Sequence, residues 1–184
     1  VVKIKRTPSM KISNAKKYLD LYNIEDYLFN TIGPRIREQG FIEFDDFYQI
    51  CMWKSARQKQ NYLKNKDTVK DISRKAFAEK DESLKMWLLL ELNGVGIPTA
   101  SAILTIVFPN KYAVIDIRCI QMLNKIDIKI LETITINRWL EYLNIMRELA
   151  HENNLTPRQI DQVLFSMHRE MLEKNNFQNL YSKS

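Results

Sequence analysis

Apolar residues recur every three or four positions along nearly the whole chain, which is the spacing of a helix face. Over residues 15–32, Tyr18, Leu19, Leu21, Tyr22, Ile24, Tyr27 and Leu28 carry the pattern. Gly33-Pro34 is expected to break or kink that run. A second helix is expected over 43–56, with acids at its start where they favour the helix dipole. A third spans 66–79 with Asp67 as its N-cap. The segment 81–93, "DESLKMWLLLELN", sets Leu84, Trp87, Leu88 and Glu91 along one side, and its apolar breadth predicts deep burial. Residues 98–108 begin with Pro98, a residue suited to a first helical turn. Asp116 is placed to cap the helix over 116–125. Two long amphipathic helices follow at 135–154 and 156–176, the second opening on Thr156 and Pro157. Only "YAVID", 112–116, reads as a strand, and it is too short and isolated to make a sheet. The predicted class is all-α, a bundle of about eight helices.

Only four glycines occur in 184 residues, and two of them, Gly94 and Gly96, stand one residue apart between two helical runs. Glycine costs backbone entropy inside a helix, so the pair answers a geometric demand. A reversal this tight needs conformations that side chains resist, while Ala100, Ser101 and Ala102 let the second helix approach closely. The first amides of that second helix have no intrahelical partner and lie at the positive dipole end, which suits a phosphate oxygen. A plain αα-hairpin turn between core helices is the simpler alternative for Gly-x-Gly taken alone.

Composition narrows the classes. Apolar content of 45% makes the chain globular, and no apolar run is long enough to cross a bilayer. The basic opening, residues 1–9, is not followed by the apolar core of a signal peptide, and Met10 is a candidate first residue. Cys51 and Cys119 lie far apart with no metal-ligand spacing, which favours a reducing, cytoplasmic setting over a disulfide. A net charge of +6 and a pI near 9.2 favour a polyanionic partner only mildly. His151 and His168 have no ligand-spaced partner, so surface or helix-end positions are expected. Trp87 and Trp139 are expected in the core. Arg158 and Asp161 are spaced for an ion pair within one helix.

The string "LNGVGIPTASAIL", 92–104, resembles the helix-hairpin-helix consensus through Leu92, Gly94, Val95, Gly96, Thr99, Ala100, Ala102 and Leu104. Just downstream, "FPNKYAVIDIRCIQML" has a Pro109-Asn110 loop, then Val114-Ile115-Asp116 opening a helix. Together these are similar to the endonuclease III-like DNA glycosylase superfamily, strongly over 92–116 and weakly before residue 83. The resemblance implies a single unit over 1–184, or two lobes: about 41–125 holding the hairpin, and 10–40 with 126–184 packed against it. It implies an intracellular, nucleoid-associated monomer that binds lesion-bearing duplex DNA, flips the damaged base and cleaves its N-glycosidic bond. An oxidised purine is the preferred lesion on resemblance alone. A non-catalytic helix-hairpin-helix DNA-binding protein is the alternative.

In that reading Asp116 is the catalytic carboxylate, stabilising positive charge on the sugar, and its plain alternative is an N-cap. DNA contacts are expected from Asn93, Gly94, Val95, Gly96, Ile97 and Thr99. The backbone carbonyls of Leu90, Leu92 and Val95 are candidates for a monovalent cation. Lyase-competent members carry a lysine directly before the Thr-Ala pair. Pro98 stands there, which implies a monofunctional enzyme with water as nucleophile unless a lysine elsewhere substitutes. Lys54 and Lys111 are the alternatives, and spacing supports neither. The basic residue found five positions after the aspartate in many members is Gln121 here. Arg118 is a substitute candidate, contacting phosphate or Asp116, or else is a surface charge. No four-cysteine array is present, so neither an iron–sulfur cluster nor another cofactor is expected. The basic, aromatic-interleaved stretch 52–66 adds Lys54, Arg57, Lys59, Lys64 and Lys66 as phosphate contacts. Arg57 or Gln58 is the candidate to fill the gap left by the flipped base. Trp53 and Tyr112 are candidates to line the base pocket.

Overall fold

The computed structural model describes residues 12, 14–20 and 25–181, and among these the chain is all-α with no strand. The helices are α1 (Ala15–Asp20), α2 (Gly33–Gln39), α3 (Phe44–Lys54), α4 (Lys59–Tyr62), α5 (Val69–Ala78), α6 (Glu82–Leu90), α7 (Ile97–Val107), α8 (Ile117–Lys125), α9 (Ile136–Asn153) and α10 (Pro157–Tyr181). Leu21, Tyr22 and Ile24 of the first predicted helix, and residues 1–9 with Met10, lie outside the described residues.

Helix α7 is the centre. Every residue from Thr99 to Val107 is buried, and α2, α3 and α6 pack around it. Its three polar residues need little from outside: Thr105 donates to the Ser101 carbonyl at 2.6 Å and Ser101 to the Pro98 carbonyl at 2.8 Å. Gly33-Pro34 does not break the chain. A π-helical turn, Leu28–Ile32, runs directly into α2 with Gly33 in helical conformation. Glycine is needed there because a Cβ would collide with the Ile106 carbonyl oxygen where this turn crosses α7.

Helix α6 is rotated away from the expected face. Lys85, Met86 and Leu89 are buried, while Leu84 and Trp87 are 52% and 60% exposed. Lys85 fixes that rotation, since its ammonium donates to the Ala76 carbonyl at 3.1 Å at the end of α5, where a cation is favoured. Glu82, at the start of α6, is clamped by Arg147 of α9 at 2.5 and 3.1 Å. Trp139 is fully buried as expected, stacked on Tyr112 with ring centroids 6.2 Å apart.

Two predicted caps divide. Asp67 does not cap α5, whose N-cap is Thr68 without a side-chain bond. Thr156 does cap α10: its hydroxyl accepts from the Gln159 amide at 3.2 Å, and Gln159 Oε1 accepts from the Thr156 amide at 2.9 Å.

Candidate functional site

The segment 112–116, whose composition reads as a strand, forms neither helix nor strand. Side chains satisfy its buried backbone instead. The Val114 amide donates to Asp161 at 2.7 Å, the Val114 carbonyl accepts from the Tyr142 hydroxyl at 3.0 Å, and the Ile115 amide donates to the Ser101 hydroxyl at 3.1 Å. Helices α10, α9 and α7 thus hold the segment from three sides and deliver Asp116 at its end.

Asp116 is the N-cap of α8, in extended conformation, with Oδ1 accepting from the Arg118 amide at 3.0 Å. Its other oxygen, Oδ2, accepts from Lys54 Nζ at 3.0 Å, from the last residue of α3. Burial alone would push this carboxyl up. The Lys54 ammonium, the Arg118 amide and the Arg118 guanidinium outweigh burial and leave it below its ordinary value. The side chains of Lys54 and Asp116 are 14% and 22% exposed, so both reach solvent at the edge of a cavity.

That cavity has a volume of about 260 Å³ and lies between α3, the start of α8 and α10. Trp53 and Phe165 form its aromatic sides. At its inner end Arg158 bridges the carboxylates of Glu25 and Asp161, all three nearly fully buried. Burial pushes Asp161 up to about 7 against the pull of Arg158 and of the Val114 amide. Arg118 and Arg169, both exposed, stand at the outer end, the Arg118 guanidinium over the Phe165 ring at 5.3 Å. Trp53 lines this cavity. Tyr112 does not: it is buried at the other end of the 112–116 segment, between Trp139 and Phe108. Lys111 is also carried away, exposed, with its carbonyl accepting from Arg147.

The hairpin between α6 and α7 adjoins this site through Ser101. Gly94 has φ +80°, and a Cβ there would stand 2.9 Å from Asn61 Cβ, so it both turns and packs. Gly96 is extended, and a Cβ there would meet only Pro98 Cδ at 3.8 Å. Its backbone conformation is open to any residue, and what glycine leaves there is open space beside the uncapped start of α7. The Leu92 carbonyl accepts from the Val95 amide at 3.1 Å and closes the turn, and the Val95 side chain is anchored in the core. Thr99 is buried against Tyr62 and presents no side chain outward. Ile97 is half-buried.

Sequence reading missed Asn65, which is fully buried and acts as a surrogate backbone for the hairpin loop. Its Oδ1 accepts from the Asn93 amide at 2.7 Å and its Nδ2 donates to the Asn93 carbonyl at 3.0 Å. Arg57 and Gln58 are exposed on a short helical turn beside that loop, with Gln58 Cβ within 3.1 Å of where a Gly94 Cβ would stand. Lys59, Lys64 and Lys66 are exposed on the same flank. His168 is buried, with Nε2 3.3 Å from Gln121 Oε1, rather than at the surface, whereas His151 is exposed at the end of α9. Cys51 and Cys119 are buried free thiols. Among the described residues no cluster of three or more His, Cys, Asp or Glu is arranged to hold a metal, and no helix is long and apolar enough to cross a membrane.

No family model matches the chain, and no curated protein or solved structure matches it.

Proposed function

We propose that the protein is a DNA N-glycosylase of the helix-hairpin-helix kind, excising a damaged or mispaired base from duplex DNA. One observation carries the reading. Asp116 faces a cavity of about 260 Å³ with one oxygen on its own helix amide and the other on Lys54, and Ser101 ties its segment to the first turn of α7. A carboxylate oriented by two donors and held ionised is suited to the positive charge that develops on the sugar as the N-glycosidic bond breaks. The open space at Gly96 lets a phosphate approach the first amides of α7, and the exposed Arg57, Lys59, Lys64 and Lys66 give that flank a cationic surface. The cavity accepts a flipped base between Trp53 and Phe165, with Arg118 and Arg169 at its entrance for the flanking backbone.

The test is a panel of duplexes, each carrying one lesion, scored for abasic-site formation by the wild type and by Asp116→Asn. At the responsive lesion, Asp116→Asn lowers single-turnover excision on the order of 100- to 1000-fold while duplex affinity persists. Affinity for duplex with no excision of any lesion would assign the protein to non-catalytic DNA binding instead.

A further inference from the structure

The departure at Pro98 removes the amine that the hairpin helix supplies in lyase-competent relatives, and with it the expectation of covalent chemistry. The tertiary structure returns an amine from a different helix. Lys54 ends α3, 62 positions from Asp116 in sequence, yet its Nζ is 3.0 Å from Asp116 Oδ2. Its side chain is only 14% exposed and lines the same cavity. Lys54 is drawn inward, whereas Lys59, Lys64 and Lys66 a few residues on are exposed. A cation serving only to bind backbone phosphate would face the outer surface, where counterion release occurs. Lys54 and Asp116 thus stand side by side at one cavity, so that a single deoxyribose can meet the amine and the carboxylate together.

We infer that Lys54 is the nucleophile at C1′ of the deoxyribose, making the protein a glycosylase with strand-cleaving lyase activity. This rests on the glycosylase reading and names the attacking atom within it. The Lys54 ammonium hands a proton to the departing base while ionised Asp116 stabilises the positive charge on the sugar, and the freed amine attacks C1′. The C1′–N bond breaks, and its electron pair leaves with the base, which carries the proton from Lys54. Asp116 then moves a second proton from the new C1′–nitrogen adduct to O4′. The sugar ring opens and an iminium links Lys54 to C1′. Loss of a C2′ proton to solvent expels the 3′ phosphate with the C3′–O electron pair. Water hydrolyses the iminium, releasing the unsaturated aldehyde and regenerating the Lys54 ammonium. An abasic sugar, whose C1′ is already an aldehyde, enters the sequence by condensing with the same amine and losing water.

The abasic sugar makes the inference testable without knowing the lesion. Intact protein is incubated with duplex carrying one natural abasic site in the presence of borohydride, and the covalent product is digested and mapped by mass. A reduced adduct on Lys54 is the expected result. Lys54→Ala abolishes trapping. Lys54→Arg does the same while keeping a cation beside Asp116, which covers the case in which the alanine variant does not fold. A parallel duplex with a tetrahydrofuran site, which has no aldehyde, reports binding alone. Binding to that duplex with no trapping at the abasic site would overturn the Lys54 assignment and leave the glycosylase reading standing. An adduct on Lys111 or any other amine would also overturn it. Failure to bind either duplex would remove both.

Discussion

Three glycines show how one residue type serves three ends. At Gly94 the backbone lies at φ +80° and Asn61 and Gln58 crowd the missing Cβ. Gly94→Ala therefore costs about 1–2 kcal/mol for the left-handed conformation and about 1–3 kcal/mol for overpacking. Gly33→Ala clashes with the backbone of α7, which cannot yield as a side-chain tip can. Gly96→Ala meets nothing nearer than Pro98 Cδ and costs about 1 kcal/mol or less, because alanine is the poorer N-cap. Urea titration of the three variants separates them. Under the proposed function only Gly96→Ala folds near-normally and still loses duplex affinity, and unchanged affinity would remove the phosphate role from that corner. Asp116 adds a pH dependence. Its folded-state pKa lies below its ordinary value, so its contribution to stability is complete above the ordinary carboxylate range and is lost as pH falls through the folded value. Wild type should lose stability relative to Asp116→Asn on acidification below that range, and denaturant midpoints at a series of pH values read the convergence. A gap that widened in acid would contradict the shift.

At the scale of elements, the hairpin is held less by its glycines than by its neighbours. Asn65 pairs with both backbone groups of Asn93, as a strand partner would. Asn65→Ala strips those partners and costs about 1–3 kcal/mol. Hydrogen exchange at the Asn93 amide should accelerate beyond what the global stability loss explains, and unaltered relative protection would refute the local clamp. The rotation of α6 shows the limit of periodicity. A count of apolar positions favours burying Trp87, yet Lys85 takes the inner face because the carbonyls ending α5 need a donor. The segment 112–116 has the composition of a strand but forms none, and Asp161, Tyr142 and Ser101 provide its hydrogen bonds. It makes no sheet, as its shortness and isolation implied, and side chains from three helices satisfy its backbone instead.

Across the whole molecule, one buried charge network joins distant parts of the chain. Arg158 bridges Glu25 and Asp161, and Asp161 in turn holds the Val114 amide two residues before Asp116. Arg158→Met leaves two buried carboxylates without that cation and should cost about 3–5 kcal/mol. Being shielded from solvent, this loss should persist in high salt, whereas duplex binding through exposed lysines should weaken steeply with salt. A stability loss that vanished in 1 M salt, near which the screening length falls to about 3 Å, would show the network to be solvent-accessible.

The sequence by itself determined the all-α class, the place of the glycine corner and the candidacy of Asp116, because each rests on local rules: helical period, chain reversal and N-cap position. Trp53, Lys54 and Arg118 were legible as residue types suited to the site. That Lys54 rather than Lys111 reaches Asp116, that Tyr112 turns into the core, and that Glu25, Arg158, Asp161 and Phe165 complete the cavity were decided only by the packing of α3, α7, α8, α9 and α10. Those contacts join residues tens of positions apart. Their geometry is set by the shape of the whole core, which no local spacing encodes.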